Sequence, residues 1–221
     1  MYIPKHFEPT DQAAQAFLAT VDAGHLVTNT ADGLKSTFLP IFYNEQSHSY
    51  RGHIARGNSQ WKLPCMGEAL FIANVASSYI SPSWYATKAI NGKVVPTWDY
   101  MMAHVYGDLV IHDDAQWLRE QVTALSNKFE SRRDLPWKVE DAPEDYMVTQ
   151  LRGIVGFELT ITRMEVSFKM SQNKTKEDLE GVIAGLASEG NFSFSERVAH
   201  LSENGQELPA VSQSEQGRYG Q

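Results

Sequence analysis

Three short β-prone runs follow one another between residues 25 and 55, and the turns between them restrict the fold more than any other feature. His25 to Thr30 is the first. Ala31-Asp32-Gly33 carries hairpin-turn chemistry, and Leu34 to Tyr43 returns along it. Asn44 to His48 is a second polar turn, and Ser49 to Ala55 is the third run. This spacing predicts a meander within an antiparallel sheet or barrel. Further runs follow at Ala69 to Val75, Val94 to His112 and Gly153 to Met170, with Gly107 marking a bend or bulge. The last run is long enough for two antiparallel strands or one bent strand. Asn91-Gly92 reads as a further hairpin turn, and 77–85 as a polar loop rich in aromatics.

Helical periods interrupt the β pattern. Thr10 can cap a helix carrying Ala13, Ala14, Phe17, Leu18 and Val21 on one face. A short helix is expected near Ser59 to Met66. Asp113 or Asp114 caps another that runs to about Glu130, with Trp117, Leu118, Val122, Leu125 and Phe129 inward. Pro143 starts a helix through Leu151. Thr175 with Asp178 resembles a capping box, opening a helix with Leu179, Val182, Ile183 and Leu186 inward. A last short helix is expected near Ser195 to Leu201. The predicted fold is therefore α+β: an antiparallel barrel of about six strands with peripheral helices. One domain is expected over residues 1–204, and the Gln-, Ser-, Glu- and Gly-rich stretch 205–221 is expected to be a flexible tail.

Charge and cysteine content narrow the function. A net charge of −8 argues against broad electrostatic binding to DNA or to an anionic membrane surface. Cys65 stands alone, so no internal disulfide forms, which fits a reducing compartment. The N-terminus lacks a signal-peptide core, and no stretch approaches the roughly 18 apolar residues of a membrane span. A cytoplasmic protein without a membrane segment is expected.

Two corners could carry chemistry. At Gly52 to Lys62 a strand empties into a turn holding Arg56, Gly57 and Asn58, just before the expected short helix. Open N–H groups at such a place, with a guanidinium beside them, suit a phosphate. A plain corner with a solvated arginine accounts for the residues equally well. The second corner, Phe168 to Lys174, ends a strand in two lysines, amides and a hydroxyl before a capped helix. Two such corners raise the expectation of a bound phosphate ester. Trp84 and Trp98 lie in Pro-containing polar segments, where an aromatic often meets a ligand or partner. The seven histidines lack metal-ligand spacing, so no metal site is expected. His53 and His104 sit in β runs, where hydrogen-bonded sheet residues are common. There is no P-loop, nucleophile elbow or Rossmann glycine pattern. The helices at Asp114–Glu130 and Pro143–Leu151 are too far apart in sequence for a helix-turn-helix, so direct DNA binding has no support here.

Five spaced motifs resemble a known family. They are Met-Tyr-x-Pro-x-His-Phe at 1–7, Gly-His-x-Ala-Arg-x-Asn-x-Gln-Trp at 52–61, Tyr-Ile-Ser-Pro-Ser-Trp-Tyr at 79–85, Val-Pro-Thr-Trp-Asp-Tyr at 95–100 and Lys-x-Ser-Gln-Asn at 169–173. Together they are similar to the PaiB-like FMN-binding negative transcriptional regulators. The resemblance implies a split β-barrel of the flavin-reductase and pyridoxamine-phosphate-oxidase type, usually a homodimer with FMN at the subunit interface. It implies phosphate contacts from Arg56 and Asn58, with His53 and Trp61 nearby. Thr37 to Leu39 would lie along the flavin ring. Lys169 and Gln172 would approach from the late strand, and Trp84 and Trp98 from the partner. Gly57 and Ser59 stand where the family pattern has alanine and proline. Two functional readings follow: an FMN-binding regulator, or a flavin-dependent oxidoreductase such as an FMN reductase.

Overall fold

The computed structural model describes residues 1–204, and the expected flexible tail lies outside them. Six strands form a closed antiparallel barrel in the order β1-β2-β3-β6-β5-β4. They are β1 (Ala23–Thr30), β2 (Gly33–Asn44), β3 (Ser49–Ala55), β4 (Ala69–Ile80), β5 (Thr97–His112) and β6 (Ile154–Lys169). The α-helices are α1 (Asp11–Thr20), α2 (Thr87–Asn91), α3 (Ala115–Glu130), α4 (Glu144–Arg152), α5 (Lys176–Ser188) and α6 (Phe192–Asn204). The α+β barrel read from the sequence is the observed fold.

The described residues form two compact units, one of Met1–Thr20, Asn74–Ala103 and 166–204, the other of Val21–Ala73 and His104–Glu165. In the second unit the hairpin at Asp32 sets Thr30 opposite Gly33 and carries the register to Ala23 opposite Pro40. The alternation along β2 turns Leu39 and Ile41 into the barrel beside Leu26, Tyr50, Ile54 and Phe71, all fully or nearly buried. Removing each of these large side chains from water stabilises the fold by about 1.5–3 kcal/mol. Asp114 caps α3 by accepting from Trp117 N–H at 2.8 Å, which fixes where the helix begins.

In the first unit Thr10 caps α1 through Ala13 N–H. The apolar stripe of α1 puts Phe17 edge-on to Phe168, ring centres 5.1 Å apart. Thr175 caps α5, but Asp178 does not complete a capping box. Its carboxylate instead accepts from the Thr87 N–H and hydroxyl, both at 2.8 Å, and so holds the start of α2. Trp84 packs on α5 so closely that a Cβ on Gly185 would stand 2.2 Å from its ring.

Several local expectations change. The expected helix near Ser59 is a single 3-10 turn, Gln60–Lys62. Pro64 is the reason: it forces Leu63 into extended backbone (φ −117°, ψ 141°) and stops propagation. Asn91-Gly92 is not a hairpin. Gly92, at φ 65°, is the left-handed cap that ends α2. β4 runs on to Ile80, into the stretch read as a loop, and 154–169 is one long strand rather than two. α6 begins at Phe192, three residues before the expected start.

Candidate functional site

Strand β2 is paired differently along its length. Residues 33–40 pair with β1, whereas only Ile41–Asn44 pair with β3. The two-residue turn makes Thr30 and Gly33 a hydrogen-bonded pair, so odd-numbered residues of β2 direct their backbone groups to β1. The amides of Ser36 and Phe38 therefore face the other way, along an edge where β3 has already turned off. Among the described residues no strand pairs with that edge, so its donors and acceptors stay open. Leu34 and Phe38 are 76% and 65% exposed on the outer face of the same stretch.

The turn after β3 lies against this part of β2 through side chains. Asn58 Nδ2 donates to Thr37 Oγ1 at 2.8 Å, and the Thr37 hydroxyl donates to Gln60 Oε1 at 2.5 Å. Gln60 N–H donates to Asn58 Oδ1 at 2.8 Å. Gln60 is only 3% exposed, and its amide also reaches Leu26 O at 2.9 Å and Thr28 Oγ1 at 3.2 Å. It locks the turn onto β1 and β2. Polar groups remain on the outside of the turn. Among the described residues, the backbone N–H groups of Gly57 and Ser59 take part in no backbone hydrogen bond. One Asn58 amide hydrogen is left over, and Ser59 and Lys62 are exposed. Thr37 and Asn58 are thus brought together. Gln60 and Lys62 are not among the expected site residues, although both lie in the corner Gly52 to Lys62. Only the fold shows that Gln60 is buried and that Lys62 ends the turn.

Arg56 behaves differently. Its Nε donates to Arg152 O at 2.7 Å, one Nη to Asp113 Oδ2 at 3.0 Å, and the other to Asp113 Oδ1 at 2.5 Å and to Ile154 O at 2.9 Å. Its backbone N–H donates to Gly153 O at 2.8 Å. The Asp113 hydrogen bond raises the Arg56 pKa and lowers that of Asp113. Four of five guanidinium hydrogens are engaged, so Arg56 fastens the turn to the end of β5 and the start of β6. Trp61 Nε1 donates to Arg56 O at 3.0 Å and braces the same turn. His53 meets Gln121 of α3 at 3.1 Å, and burial lowers its pKa. Leu39 points into the barrel at 3% exposure, so β2 presents its backbone rather than this side chain.

The remaining expected residues lie in the other unit. Asp99 is buried at 1% exposure. Lys169 Nζ approaches it at 3.1 Å while also donating to Thr97 Oγ1 at 2.6 Å and to Trp98 O. Ser171, in the left-handed region at φ 59°, donates to Asp99 Oδ2 at 2.5 Å. Gln172 closes a loop on its own backbone, accepting from Met170 N–H at 2.7 Å and donating to Phe168 O. Burial raises the Asp99 pKa against the hydrogen bond from Ser171 and the charge of Lys169. The buried Tyr85 hydroxyl is pushed up to about 12 by burial and by the charges of Asp99 and Asp178. Trp84 is packed on α5, while Trp98 is exposed in an edge-on pair with Tyr79.

Among the described residues no cluster of His, Cys, Asp and Glu could hold a metal ion, and no helix is long and apolar enough to cross a membrane.

The six-strand barrel with peripheral helices is a split β-barrel of the FMN-binding type. A family model described as "Putative FMN-binding domain" matches residues 1–163. The chain belongs to this family, the PaiB-like FMN-binding proteins. It is 31% identical over 208 residues to the protease synthase and sporulation protein PAI 2 of Bacillus subtilis, covering 92% of this chain and 97% of that one. It is 35% identical over 167 residues to an uncharacterized protein of Emericella nidulans, covering 63% and 66%. Among solved structures, the FAD and heme binding protein of Mycobacterium smegmatis shares the fold at 9% identity (TM-score 0.53, covering 75% of this chain and 74% of that one). The flavocytochrome Anf3 of Azotobacter vinelandii does so at 10% identity (TM-score 0.50, covering 77% and 73%). The cofactor of this family is FMN. The open β2 edge, with unspent N–H groups on the adjoining turn, suits a planar heterocycle carrying a phosphate.

Proposed function

We propose that the protein is a homodimeric flavin-responsive regulator whose FMN lies along Ser36–Phe38 of β2, with its phosphate on the turn at 57–62. The unpaired half of β2 beside the Thr37–Asn58–Gln60 network carries this reading. The backbone edge matches the hydrogen-bonding rim of an isoalloxazine ring. The turn offers Gly57 and Ser59 N–H, Asn58 Nδ2 and the exposed Lys62 to a dianion. Arg56 serves this site by holding the turn. When bound, FMN supplies one- and two-electron redox chemistry, while the chain binds, orients and covers it. The exposed Leu34 and Phe38 support a second copy of the chain as the cover on this face.

The regulatory part draws support from the name of the Bacillus subtilis relative, which ties that protein to protease synthesis and sporulation. α5 and α6 are joined by a three-residue turn containing Gly190 at φ 81°, which is the form of a DNA-reading motif. Over 176–204, however, six acidic residues face two basic ones, the wrong balance for a phosphate backbone. Regulation therefore runs through a partner protein or the flavin redox state.

The decisive measurement is the visible spectrum of the purified protein, followed by titration with FMN and sedimentation. A yellow dimer that binds one FMN per chain, and loses affinity in Asn58→Ala and Lys62→Gln, is expected. A protein that stays colourless with added FMN would refute the assignment. Rapid bleaching of the bound flavin by NADH or NADPH without air would favour the oxidoreductase instead.

A further inference from the structure

Within the second unit, a cleft of about 500 Å³ opens between the turn at Arg56, the first turns of α3 and the face of α4. Its volume falls in the range that holds a small organic molecule. Leu118, Val148 and Leu151 give it an apolar lining. Leu118 and Leu151 are buried at its base, while Val148 is 38% exposed at its edge. Three arginines, Arg56, Arg119 and Arg152, line it together with two acidic residues, Asp113 and Glu144. The carboxylates are already used. Asp113 pairs with Arg56 at 2.5 Å, and Glu144 pairs with Arg119. Arg152 accepts from Arg56 through its backbone oxygen, but its own guanidinium has no partner among the described residues. Three arginines against two acids, with one guanidinium unneutralised beside an apolar lining, favour a negative charge locally although the chain as a whole carries −8.

We propose that this cleft binds a small amphipathic organic anion, an aromatic or branched apolar body bearing one carboxylate or sulfonate. The apolar body rests on Leu118, Val148 and Leu151, and Arg152 takes the anionic head in a bidentate, charge-assisted contact. This site is distinct from the proposed flavin edge on β2. The two share one structural element, because Arg56 forms a wall of the cleft and anchors the turn that carries Asn58. An occupant that stiffens the Arg56–Asp113 and Arg56–Arg152 contacts holds the turn in place. Cleft occupancy and FMN retention are then positively linked, and linkage requires each ligand to raise the affinity of the other by the same factor.

The test uses the full chain loaded with FMN and anilinonaphthalene sulfonate as the probe, which joins an aromatic body to a sulfonate. Calorimetry should show saturable binding of one probe per chain without release of FMN. Val148→Trp fills the cleft from its exposed edge and should abolish that binding. Arg152→Glu changes only an exposed side chain and should weaken binding at least about tenfold. Both variants should keep their FMN spectrum and their unfolding transition, which shows that they are folded. The proposal is overturned if no saturable binding occurs or if both variants bind the probe as the parent does. Displacement of FMN mole for mole also overturns it, because the probe then occupies the flavin site. If the chain proves not to bind FMN at all, the same titration on the unloaded chain still decides the matter.

Discussion

The corner at 56–62 and the corner at 169–174 look alike in sequence and differ in what they leave unspent. Each ends a strand in a cation, an amide and a small polar residue. At the later corner the groups saturate one another: Lys169 and Ser171 close on the buried Asp99, and Gln172 folds onto its own backbone. At the earlier corner Gln60 and Arg56 spend their donors inward, which leaves the rest of the turn facing out. Residue types announce that a corner can hold an anion. Only the partner list shows whether the anion is already supplied by the protein itself.

The sharpest way to break this comparison is Lys169→Met. If Lys169 is the internal counter-ion, its loss strands a buried carboxylate and should destabilise the fold by about 3–5 kcal/mol. Urea unfolding would show this, while FMN affinity under native conditions stays near that of the parent. The opposite pair of results, stability kept and FMN lost, would make the late corner a cofactor contact.

Glycines sharpen the contrast at a smaller scale. A Cβ at Gly185 would meet the Trp84 ring at 2.2 Å, whereas a Cβ at Gly57 would meet nothing within 4 Å. Gly185→Ala should therefore cost about 1–3 kcal/mol through overpacking. Gly57 is not among the positive-φ glycines. Gly57→Ala should instead stabilise by about 0.4–1 kcal/mol by restricting the unfolded chain, and should leave FMN binding intact. Thermal unfolding of the two variants measures both signs. A Gly57→Ala variant that loses stability would show that the turn needs its freedom.

The barrel was legible because its evidence is local. Period-two runs at 25–30, 34–43 and 49–55, joined by turn residues, define neighbouring strands before any long-range contact is known. The capping residues Thr10, Asp114 and Thr175 were legible for the same reason. The site was legible only in part. Asn58 and Thr37 each lie in a stretch that the sequence marks, but their meeting is a contact across 21 positions. The burial of Gln60, the Arg56–Asp113 pair and the packing of Trp84 depend on residues 23 to 101 positions away, which no local pattern encodes. Pro64 is itself a local signal, and it limits the helix near Ser59 to a single turn.

The role of Arg56 separates a clamp from a ligand. Asp113→Asn removes the charge that engages the guanidinium. A ligand arginine, so released, would hold FMN more tightly. A clamp would loosen the turn, and Asp113→Asn and Arg56→Ala would both weaken FMN in the same direction. Titration of both variants at two salt concentrations decides this, and the clamp predicts parallel losses.

The smallest expected effect is in pH, and there the two regions part again. Burial lowers the pKa of His53 and of His112, whose ring stacks on Trp117 at 4.0 Å. Both imidazoles are therefore neutral in the folded chain at pH values where the unfolded chain, titrating near 6.5, binds a proton. Their contribution is fully present above that value and is lost as the pH falls below it. Asp99 has the opposite sign. Its raised pKa means that its folded form holds a proton more readily than the unfolded chain does, so acid relieves it. As the pH falls below 6.5 the histidine side loses stability, so unfolding free energy should decline there until protonation of Asp99 begins to oppose it. His53→Gln should flatten the decline, whereas Lys169→Met should leave its slope unchanged. A slope untouched by His53→Gln would assign the pH response to His112 or to another imidazole. A slope removed by Lys169→Met would place it at the Asp99 corner and reverse the contrast between the two.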